Sequence, residues 1–307
     1  MHQAQILKPV ASLKETTAIP HKGMKIALIQ TGSWGDNINS TLMLIPLKKK
    51  YPDACIEVHT STIYETAFHN NPFINRIIAH LSIDKPTSIK LALAIAPRLT
   101  GYDIIFNPHP FYNPDKRSSI RHPELGSNII YAWVRALEDH GIDYSLPLET
   151  ILSLTPTETN KVDQFVAHIP HFGNHRKNIM EISGESGQTF FNNTWAEAII
   201  TKLCTRGEMV FISHKFGIPA LAQKFPTLCY NANTLSIREC AELFNRCDKF
   251  FSVSSGLSNA CNSNWCKKDI EWVEIIKSAS DSSAPIRSVG KVFWLEDDLN
   301  KFLKTIS

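Results

Sequence analysis

A carboxylate follows two glycines directly after the first apolar run of the chain. The run "KIALIQ" (25–30) leads into the segment Thr31-Gly32-Ser33-Trp34-Gly35-Asp36. Glycine permits a tight turn and a close approach of the backbone to a ligand. Aspartate also favours the start of a helix. The residues alone leave two roles open for Asp36, a helix cap and a catalytic group.

A second glycine-bearing turn follows the apolar run "KFFSVS" (249–254). Its residues are Ser254, Ser255, Gly256, Leu257, Ser258 and Asn259. Backbone amides at the start of a helix favour the phosphate group of a ligand. A serine cap without any ligand is the alternative interpretation.

Three further segments follow predicted strands and carry small or basic residues. "SGESG" (183–187) contains Gly184, and the loop after "EMVFIS" (208–213) contains His214 and Lys215. "NPHPFYNPDKRSSIRHP" (107–123) is long and basic, and such a loop would suit an anionic ligand. Its candidate binding residues are His109, Lys116, Arg117 and Arg121. An ordinary solvated segment is the alternative for each of the three.

Apolar runs alternate with amphipathic segments along the chain, which predicts parallel sheets with helices on both faces. The predicted strands cover 25–30, 55–60, 76–80, 102–107, 178–183, 208–213, 226–231, 249–254 and 270–275. The predicted helices cover 36–50, 88–99, 127–142, 194–205, 236–247 and 294–306, with a further helix inside 146–169 that begins near Thr157. Pro46 predicts a kink or an early stop in the first helix. Ser236 and Glu239 predict a capping box.

The alternation occurs on both sides of the polar segment "PHFGNHRK" (170–177), which predicts two doubly wound, Rossmann-like domains. We expect an N-terminal extension over 1–23, a first domain over 24–170, a second domain over 171–290 and a C-terminal helix over 291–307. Ligands bind beyond the carboxyl ends of the strands in such folds. The sequence thus predicts a site in a cleft between the domains.

The composition is typical of a globular protein, with 43% hydrophobic and 20% charged residues among 307. The net charge of +3 is too small to predict nucleic-acid binding by itself. The seven cysteines include no CxxC pair, so neither a zinc ribbon nor a redox motif is predicted. We expect reduced cysteines and a cytoplasmic protein, with no signal peptide in residues 1–23 and no membrane span.

Two segments of the first half resemble a known family. "MKIALIQTGSWGDNINSTLMLIPLKKKYPDACIEVHTS" (24–61) and "FHNNPFINRII" (68–78) are similar to the amino-terminal half of glycosyltransferase family 9, the lipopolysaccharide heptosyltransferases. The resemblance implies a GT-B fold and sugar transfer from a nucleotide donor, which is ADP-heptose in the best-known members. It puts Asp36 at the position of the proposed general base. It also implies inversion at the anomeric carbon without a metal or a covalent intermediate.

The resemblance also divides the candidate residues between two substrates. The family has a D-S/T-G-x-x-H turn for the donor; Ser255 and Gly256 match it, whereas Ser254 replaces the aspartate and Asn259 replaces the histidine. In this interpretation the second domain binds the donor, with Gly184, His214 and Lys215 beside the turn. The first domain holds the acceptor, with the basic loop (107–123) over it.

We expect an inverting, metal-independent glycosyltransferase that needs no cofactor beyond its nucleotide-sugar co-substrate. The expected partners are that donor and a glycan or glycolipid acceptor, such as lipopolysaccharide core or capsule, with no nucleic acid and no obligate protein partner. Peripheral association with the inner face of the membrane stays open. The altered turn leaves a catalytically degenerate nucleotide-sugar-binding protein as an alternative, and a nucleotide-sugar epimerase of similar fold is another. The absence of GxGxxG counts against a nicotinamide-dependent oxidoreductase.

Overall fold

The structure is a computed structural model, and it describes residues 23–82, 91–107, 128–145, 148–181, 193–213, 218–253, 255–276, 291–295 and 299–305. Within these ranges the chain forms two parallel β-sheets, and the two sheets come from different halves of the sequence. The predicted α/β fold with two Rossmann-like units is confirmed.

The first sheet has the strand order β3-β2-β1-β4, and every pairing in it is parallel. Its strands are β1 (Lys25–Ile29), β2 (Cys55–Ser61), β3 (Arg76–His80) and β4 (Ile104–Phe106). The chain moves from β1 outward to β2 and β3 and then returns to the other side of β1. The strand order thus reverses between β1 and β4.

The second sheet has the order β10-β9-β8-β5-β6-β7 and is also parallel throughout. Its strands are β5 (Lys177–Glu181), β6 (Met209–Ser213), β7 (Cys229–Asn231), β8 (Lys249–Val253), β9 (Glu271–Ile276) and β10 (Lys291–Leu295). Two strands, β6 and β7, lead outward on one side of β5, and three, β8, β9 and β10, on the other, which is the order of a dinucleotide-binding sheet. Here the reversal lies between β5 and β8.

The helices connect these strands. They are α1 (Trp34–Ser40), α2 (Leu44–Lys50), α3 (91–95), α4 (Asn128–Asp139), α5 (Pro156–Ala167), α6 (Asn193–Thr205), α7 (Pro219–Lys224), α8 (Ile237–Asn245), α9 (Gly256–Cys261) and α10 (Leu299–Thr305). Short 3-10 helices cover Thr41–Met43, Glu65–Phe68, Ala96–Arg98 and Phe172–Asn174. α4 is followed by Gly141, which has a φ of +58°, so its predicted end is confirmed.

Successive side chains of a strand face two separate helix layers, which explains why the strands are apolar almost throughout. On β5, Ile179 packs in the core beneath α5, α8 and α9, whereas Met180 packs with α6, α7 and α10. The first of these cores continues into the first unit through Leu28 and Trp34. The two units share one apolar core where α1 meets α9.

The segment predicted as one helix over 36–50 is divided by a 3-10 turn. α1 ends at Ser40, and α2 begins at Leu44. Pro46 is the third residue of α2, where a backbone N–H has no intrahelical partner and proline costs little. The segment is broken upstream of Pro46, at Thr41–Met43, whereas α2 continues through Pro46 to Lys50, so the predicted stop at Pro46 is wrong.

The prediction of a terminal helix over 294–306 is wrong for its first residues, as is that of a C-terminal helix over 291–307. Residues Lys291–Leu295 form strand β10, and helix α10 covers only Leu299–Thr305. The segment "KVFWL" is apolar with β-branched and aromatic residues, which favours a strand. The amphipathic spacing after it extended the predicted helix too far upstream.

Other boundaries differ by a few residues. The cap of α5 is Thr155, which forms a capping box with Glu158, and not Thr157. The predicted capping box of Ser236 and Glu239 at α8 is confirmed. Of the strand predicted over 226–231, only Cys229–Asn231 is extended, because residues 226–228 form a turn after the unpredicted short helix α7.

Candidate active site

Both glycine-bearing turns lie where a doubly wound sheet reverses its strand order, which is where such sheets bind ligands. Residues 31–36, called the first turn here, follow β1. Residues 255–259, the second turn, follow β8, which lies beside β5. Both candidate turns thus lie at the carboxyl ends of strands, where ligands bind in sheets of this kind.

Asp36 is the third residue of α1 and is half-buried. Its Oδ2 accepts hydrogen bonds from Ser33 N at 2.9 Å and from Ser33 Oγ at 2.7 Å. Ser33, rather than Asp36, is therefore the helix cap, and Asp36 completes a capping box. Oδ1 of Asp36 has no partner among the residues that the structure describes. One carboxylate oxygen stabilises the helix start, and the other makes no hydrogen bond within the described ranges.

Hydrogen bonds of Asn37, the residue after Asp36, hold the first turn in place. Asn37 donates through Nδ2 to the carbonyls of Gly32 at 2.9 Å and Ser33 at 2.8 Å, and it accepts from Thr60 Oγ1 at 2.6 Å. A Cβ on residue 32 would lie 2.7 Å from Asp36 Oδ2. Glycine is required there because any side chain would displace the carboxylate.

The second turn is closed by a carboxyl group from a neighbouring strand. Ser255 caps α9: its Oγ accepts from Ser258 N at 3.1 Å and donates to Glu181 Oε2. Glu181 lies at the carboxyl end of β5 and also accepts from the backbone N–H of Leu257. Of the amides at the start of α9, those of Leu257 and Ser258 are thus already bonded within the protein.

Burial raises the pKa of the Glu181 carboxyl to about 8. The hydrogen bond from Ser255 lowers this pKa, and the charge of nearby Glu274 raises it. Glu181 is accordingly protonated for the most part at neutral pH. Sequence reasoning missed this residue. The available signal was a lone acidic residue at the end of the apolar strand "NIME", since carboxylates are rarely buried without a partner.

The two turns are in direct contact. A Cβ on Gly35 would lie 2.6 Å from Asn259 Nδ2 and 3.3 Å from Gly256 Cα, and a Cβ on Gly256 would lie 3.6 Å from Trp34 Cε3. Asn259 is 8% exposed, and its Oδ1 has no hydrogen-bond partner in the described part of the chain. The structure therefore brings the described residues of both turns together into one candidate site.

The other predicted site residues lie outside the residues that the structure describes. On the predicted donor side these are Gly184, Ser254, His214 and Lys215. On the predicted acceptor side they are His109, Lys116, Arg117 and Arg121. Their assignments stay predictions.

A chain of titratable side chains, which the sequence analysis did not identify, crosses the first sheet. Lys25 Nζ lies 3.3 Å from Glu57 Oε1, and the Tyr102 hydroxyl donates to Glu57. His59 Nε2 lies 2.9 Å from Tyr102 OH, and its Nδ1 lies 3.0 Å from His80 Nε2. Because the Tyr102 proton points to Glu57, His59 donates through Nε2 and accepts through Nδ1. Burial, with a smaller contribution from His80, lowers the pKa of His59 to about 4, so this ring is neutral.

All seven cysteines are buried thiols outside any disulfide, consistent with reduced side chains that act as small apolar groups. In the described ranges, no three His, Cys, Asp or Glu side chains lie close enough together to hold a metal ion. No described helix has the length and hydropathy to cross a membrane.

The sequence matches no family model and no curated protein. Solved structures of similar fold do exist. A family 9 glycosyl transferase from Veillonella parvula DSM 2008 is 13% identical, with 93% of this chain and 89% of that chain covered and a TM-score of 0.67. The Escherichia coli ADP-heptose lipopolysaccharide heptosyltransferase II is 17% identical, with 88% and 90% covered and a TM-score of 0.60.

An E. coli heptosyltransferase in complex with ADP-2-deoxy-2-fluoro heptose gives a weaker match of the same kind. It is 12% identical, with 92% of this chain and 100% of that chain covered and a TM-score of 0.55. At these identities the likeness is one of fold. The chain thus has the fold of the family 9 glycosyltransferases, as the resemblance of its first half predicts.

Proposed function

We propose that the protein is an inverting glycosyltransferase that moves a sugar from a nucleotide-sugar donor to a hydroxyl of a bacterial surface glycan. The observation that carries the proposal is the Asp36 carboxylate. It lies at the strand reversal of the first sheet, in a turn that contacts the second turn, and its Oδ1 has no partner among the described residues. The fold shared with family 9 glycosyltransferases supports it.

In the proposed reaction, Asp36 Oδ1 takes the proton of the acceptor hydroxyl as that oxygen attacks the anomeric carbon of the donor. The bond from this carbon to the diphosphate oxygen breaks on the opposite face, and its electron pair leaves with the nucleoside diphosphate. A single displacement inverts the carbon. Ser33 fixes the direction of the carboxylate through its two hydrogen bonds to Oδ2.

The donor, in this proposal, lies against the second turn. The absence of side chains at Gly256 and Gly35 lets the first turn lie directly against it. The buried Oδ1 of Asn259 is an acceptor that a donor hydroxyl or N–H would satisfy. We assign Ser255 here as the residue that orders the turn, and Gly184, Ser254, His214 and Lys215 as the rest of the donor side.

We assign the basic loop of residues 107–123 to an anionic glycan or glycolipid acceptor. Its proposed contacts are His109, Lys116, Arg117 and Arg121. A lipid-linked acceptor would place the enzyme at the cytoplasmic face of the membrane as a peripheral protein. The proposed displacement needs no resident cofactor and no metal, since a carboxylate base and a diphosphate leaving group suffice for it.

A non-catalytic nucleotide-sugar-binding protein is the second candidate function. The observation in its favour is the second turn, where the amides of Leu257 and Ser258 are bonded to Glu181 and Ser255 rather than free. Such a protein would bind a donor without transferring its sugar.

A binding screen followed by a transfer assay separates these candidates. The melting temperature of the full chain is measured with ADP-, UDP-, GDP-, CMP- and dTDP-sugars, with the free nucleotides and with NAD. The best donor is then incubated with lipopolysaccharide core and capsule fragments, and the released nucleotide and the new glycoside are quantified. We expect stabilisation by one nucleotide sugar and equal amounts of both products.

Other outcomes would contradict the proposal. Stabilisation by NAD and by no nucleotide sugar would overturn it. Donor binding without release of nucleotide, over the whole acceptor panel, would favour the non-catalytic candidate. Retention of configuration at the anomeric carbon, read from the coupling constant of the product, would overturn the inverting mechanism.

A further inference from the structure

A buried arginine joins three segments of the chain near the first turn. Arg238 on α8 is 3% exposed. It forms a fork with the Glu158 carboxylate, from Nε at 2.5 Å and from Nη2 at 3.0 Å. Nη2 also donates to the Ser153 carbonyl at 2.6 Å, and Nη1 donates to the Thr66 carbonyl at 3.1 Å. The guanidinium thus links the second unit to the 3-10 helix Glu65–Phe68 of the first.

Thr66 carries this link onward to the first turn. Its Oγ1 accepts a hydrogen bond from Trp34 Nε1 at 3.1 Å. Trp34 is the first residue of α1, two positions before Asp36, and it is 8% exposed. A Cβ on Gly256 would lie 3.6 Å from both Trp34 Cε3 and Ile237 Cδ1. The indole is held between the Thr66 hydroxyl and the second turn.

We propose that Arg238 is a positioning residue that sets the place of Asp36 through Thr66 and Trp34. The inference rests on the proposed function, because it assigns Asp36 to the reaction. Arg238 fixes the Thr66 backbone, the Thr66 hydroxyl fixes the Trp34 ring, and this ring fixes the start of the helix that carries the carboxylate. A small displacement of a reacting group lowers the rate steeply while leaving substrate affinity almost unchanged.

The packing of α8 on α5 does not by itself explain this arginine. Two other ion pairs already join α5 to α8 and its C-terminal cap: Arg246 Nη2, from the cap, lies 2.9 Å from Asp163 Oδ1, and Lys161 Nζ lies 2.9 Å from Glu239 Oε2. Both basic side chains are at least one-third exposed, whereas Arg238 is buried, where a charge is costly unless every partner is in place. Of these three basic side chains, Arg238 is the one that also binds the first unit, through the Thr66 carbonyl.

The matched test compares Arg238→Lys with Arg246→Lys. Both keep a positive charge opposite a carboxylate of α5, but a lysine at position 238 cannot form the fork and the contact to Thr66 together. We expect Arg238→Lys to lower kcat about tenfold or more with the donor KM within twofold, and Arg246→Lys to leave both close to wild type. An equal fall of kcat in both variants, or an unchanged kcat in Arg238→Lys, would overturn the proposal.

A second variant keeps the test open if Arg238→Lys does not fold. Thr66 is exposed, and Thr66→Val retains the carbonyl that Arg238 binds but removes the acceptor for Trp34. We expect a fall of kcat at constant KM and unchanged melting temperature. A wild-type kcat in Thr66→Val would contradict the link through the indole.

Amide hydrogen exchange gives a readout that does not depend on activity. Arg238→Lys should raise exchange over residues 34–40 and 65–68, and Arg246→Lys should not. If the wild type transfers no sugar, the proposed function fails while exchange still decides whether Arg238 orders the turn. Unchanged exchange over residues 34–40 in Arg238→Lys would overturn the positioning role in either case.

Discussion

The first and second turns share a plan: each follows a strand at a reversal of its sheet, begins a short helix with a serine cap and meets the other through a glycine. They differ in the carboxyl group that accepts hydrogen bonds from the capping serine. In the first turn it is Asp36, on the helix itself and half-buried. In the second it is Glu181, from a neighbouring strand and 6% exposed.

The different burial of the two carboxyl groups gives them different roles in otherwise similar turns. A half-buried carboxylate with one oxygen outside the local hydrogen bonds is placed to exchange a proton with a substrate. A buried carboxyl that accepts from a serine and an amide holds a backbone turn in place. In the proposed function the first turn therefore supplies the reacting group, whereas the second turn forms part of the donor side.

The two units also bury titratable groups of opposite kinds. His59 is held as a neutral base in the first sheet, and Glu181 as a neutral acid in the second. The unfolded chain protonates the histidine and ionises the glutamate at their ordinary pKa values. Acid therefore destabilises the first unit through His59, and alkali destabilises the second through Glu181.

We expect the largest effect on stability and sugar transfer from Gly35→Ala, because its side chain would push the two turns apart. Alanine normally stabilises a helix relative to glycine, but here its Cβ would lie 2.6 Å from Asn259 Nδ2. We expect a destabilisation of about 1–3 kcal/mol by overpacking, together with loss of transfer, measured by thermal unfolding and product formation. Gly173→Ala, at a site with no atom within 4 Å, is the control. A Gly35→Ala variant as stable and active as that control would refute the contact.

Gly32→Ala is expected to disturb the first turn alone. Its Cβ would lie 2.7 Å from Asp36 Oδ2, so the carboxylate must move. We expect kcat to fall about ten- to a hundredfold with a smaller loss of stability than in Gly35→Ala, and donor affinity to stay constant. Steady-state kinetics and a donor titration check this. A large loss of donor affinity with kcat at the wild-type value would contradict this prediction.

Glu181→Gln tests the second turn through pH. In the wild type, the folded carboxyl has a pKa of about 8, against an ordinary value of 4.5. Its contribution to stability is complete below pH 4.5 and is lost as the pH rises to about 8. The variant should gain melting temperature relative to the wild type from pH 5 to pH 9, and the exposed Glu197→Gln should not. A constant difference across that range would disprove the buried neutral carboxyl.

His59→Gln is expected to give the smallest effect, with the opposite pH dependence. The folded His59 has a pKa of about 4, against an ordinary value of 6.5, so its contribution is complete above pH 6.5 and is lost as the pH falls towards 4. Melting curves between pH 7 and pH 4 should fall less steeply in His59→Gln than in the wild type or in His69→Gln, an exposed control. Parallel curves for all three would count against the neutral histidine.

The sequence predicted the elements that repeat a simple pattern and missed those that depend on distant partners. The strand from Lys25 and the turn to Asp36 could be identified because apolar runs and glycines are local signals. The cap at Thr155 was as local but was placed two residues late. The pairing of Arg238 with Glu158, 80 residues away, and of Glu181 with Ser255, 74 residues away, has no local signal. Strand β10 was missed because its apolar residues also fit the helical spacing that follows.

The most direct test of the central claim is the rate of sugar transfer by Asp36→Asn under saturating donor. Asparagine is nearly isosteric with aspartate but cannot accept the proton. The account predicts that kcat falls about 10²–10⁴-fold while the donor Kd and the melting temperature stay close to those of the wild type. A variant that transfers sugar at the wild-type rate would contradict the assignment of Asp36 as the general base.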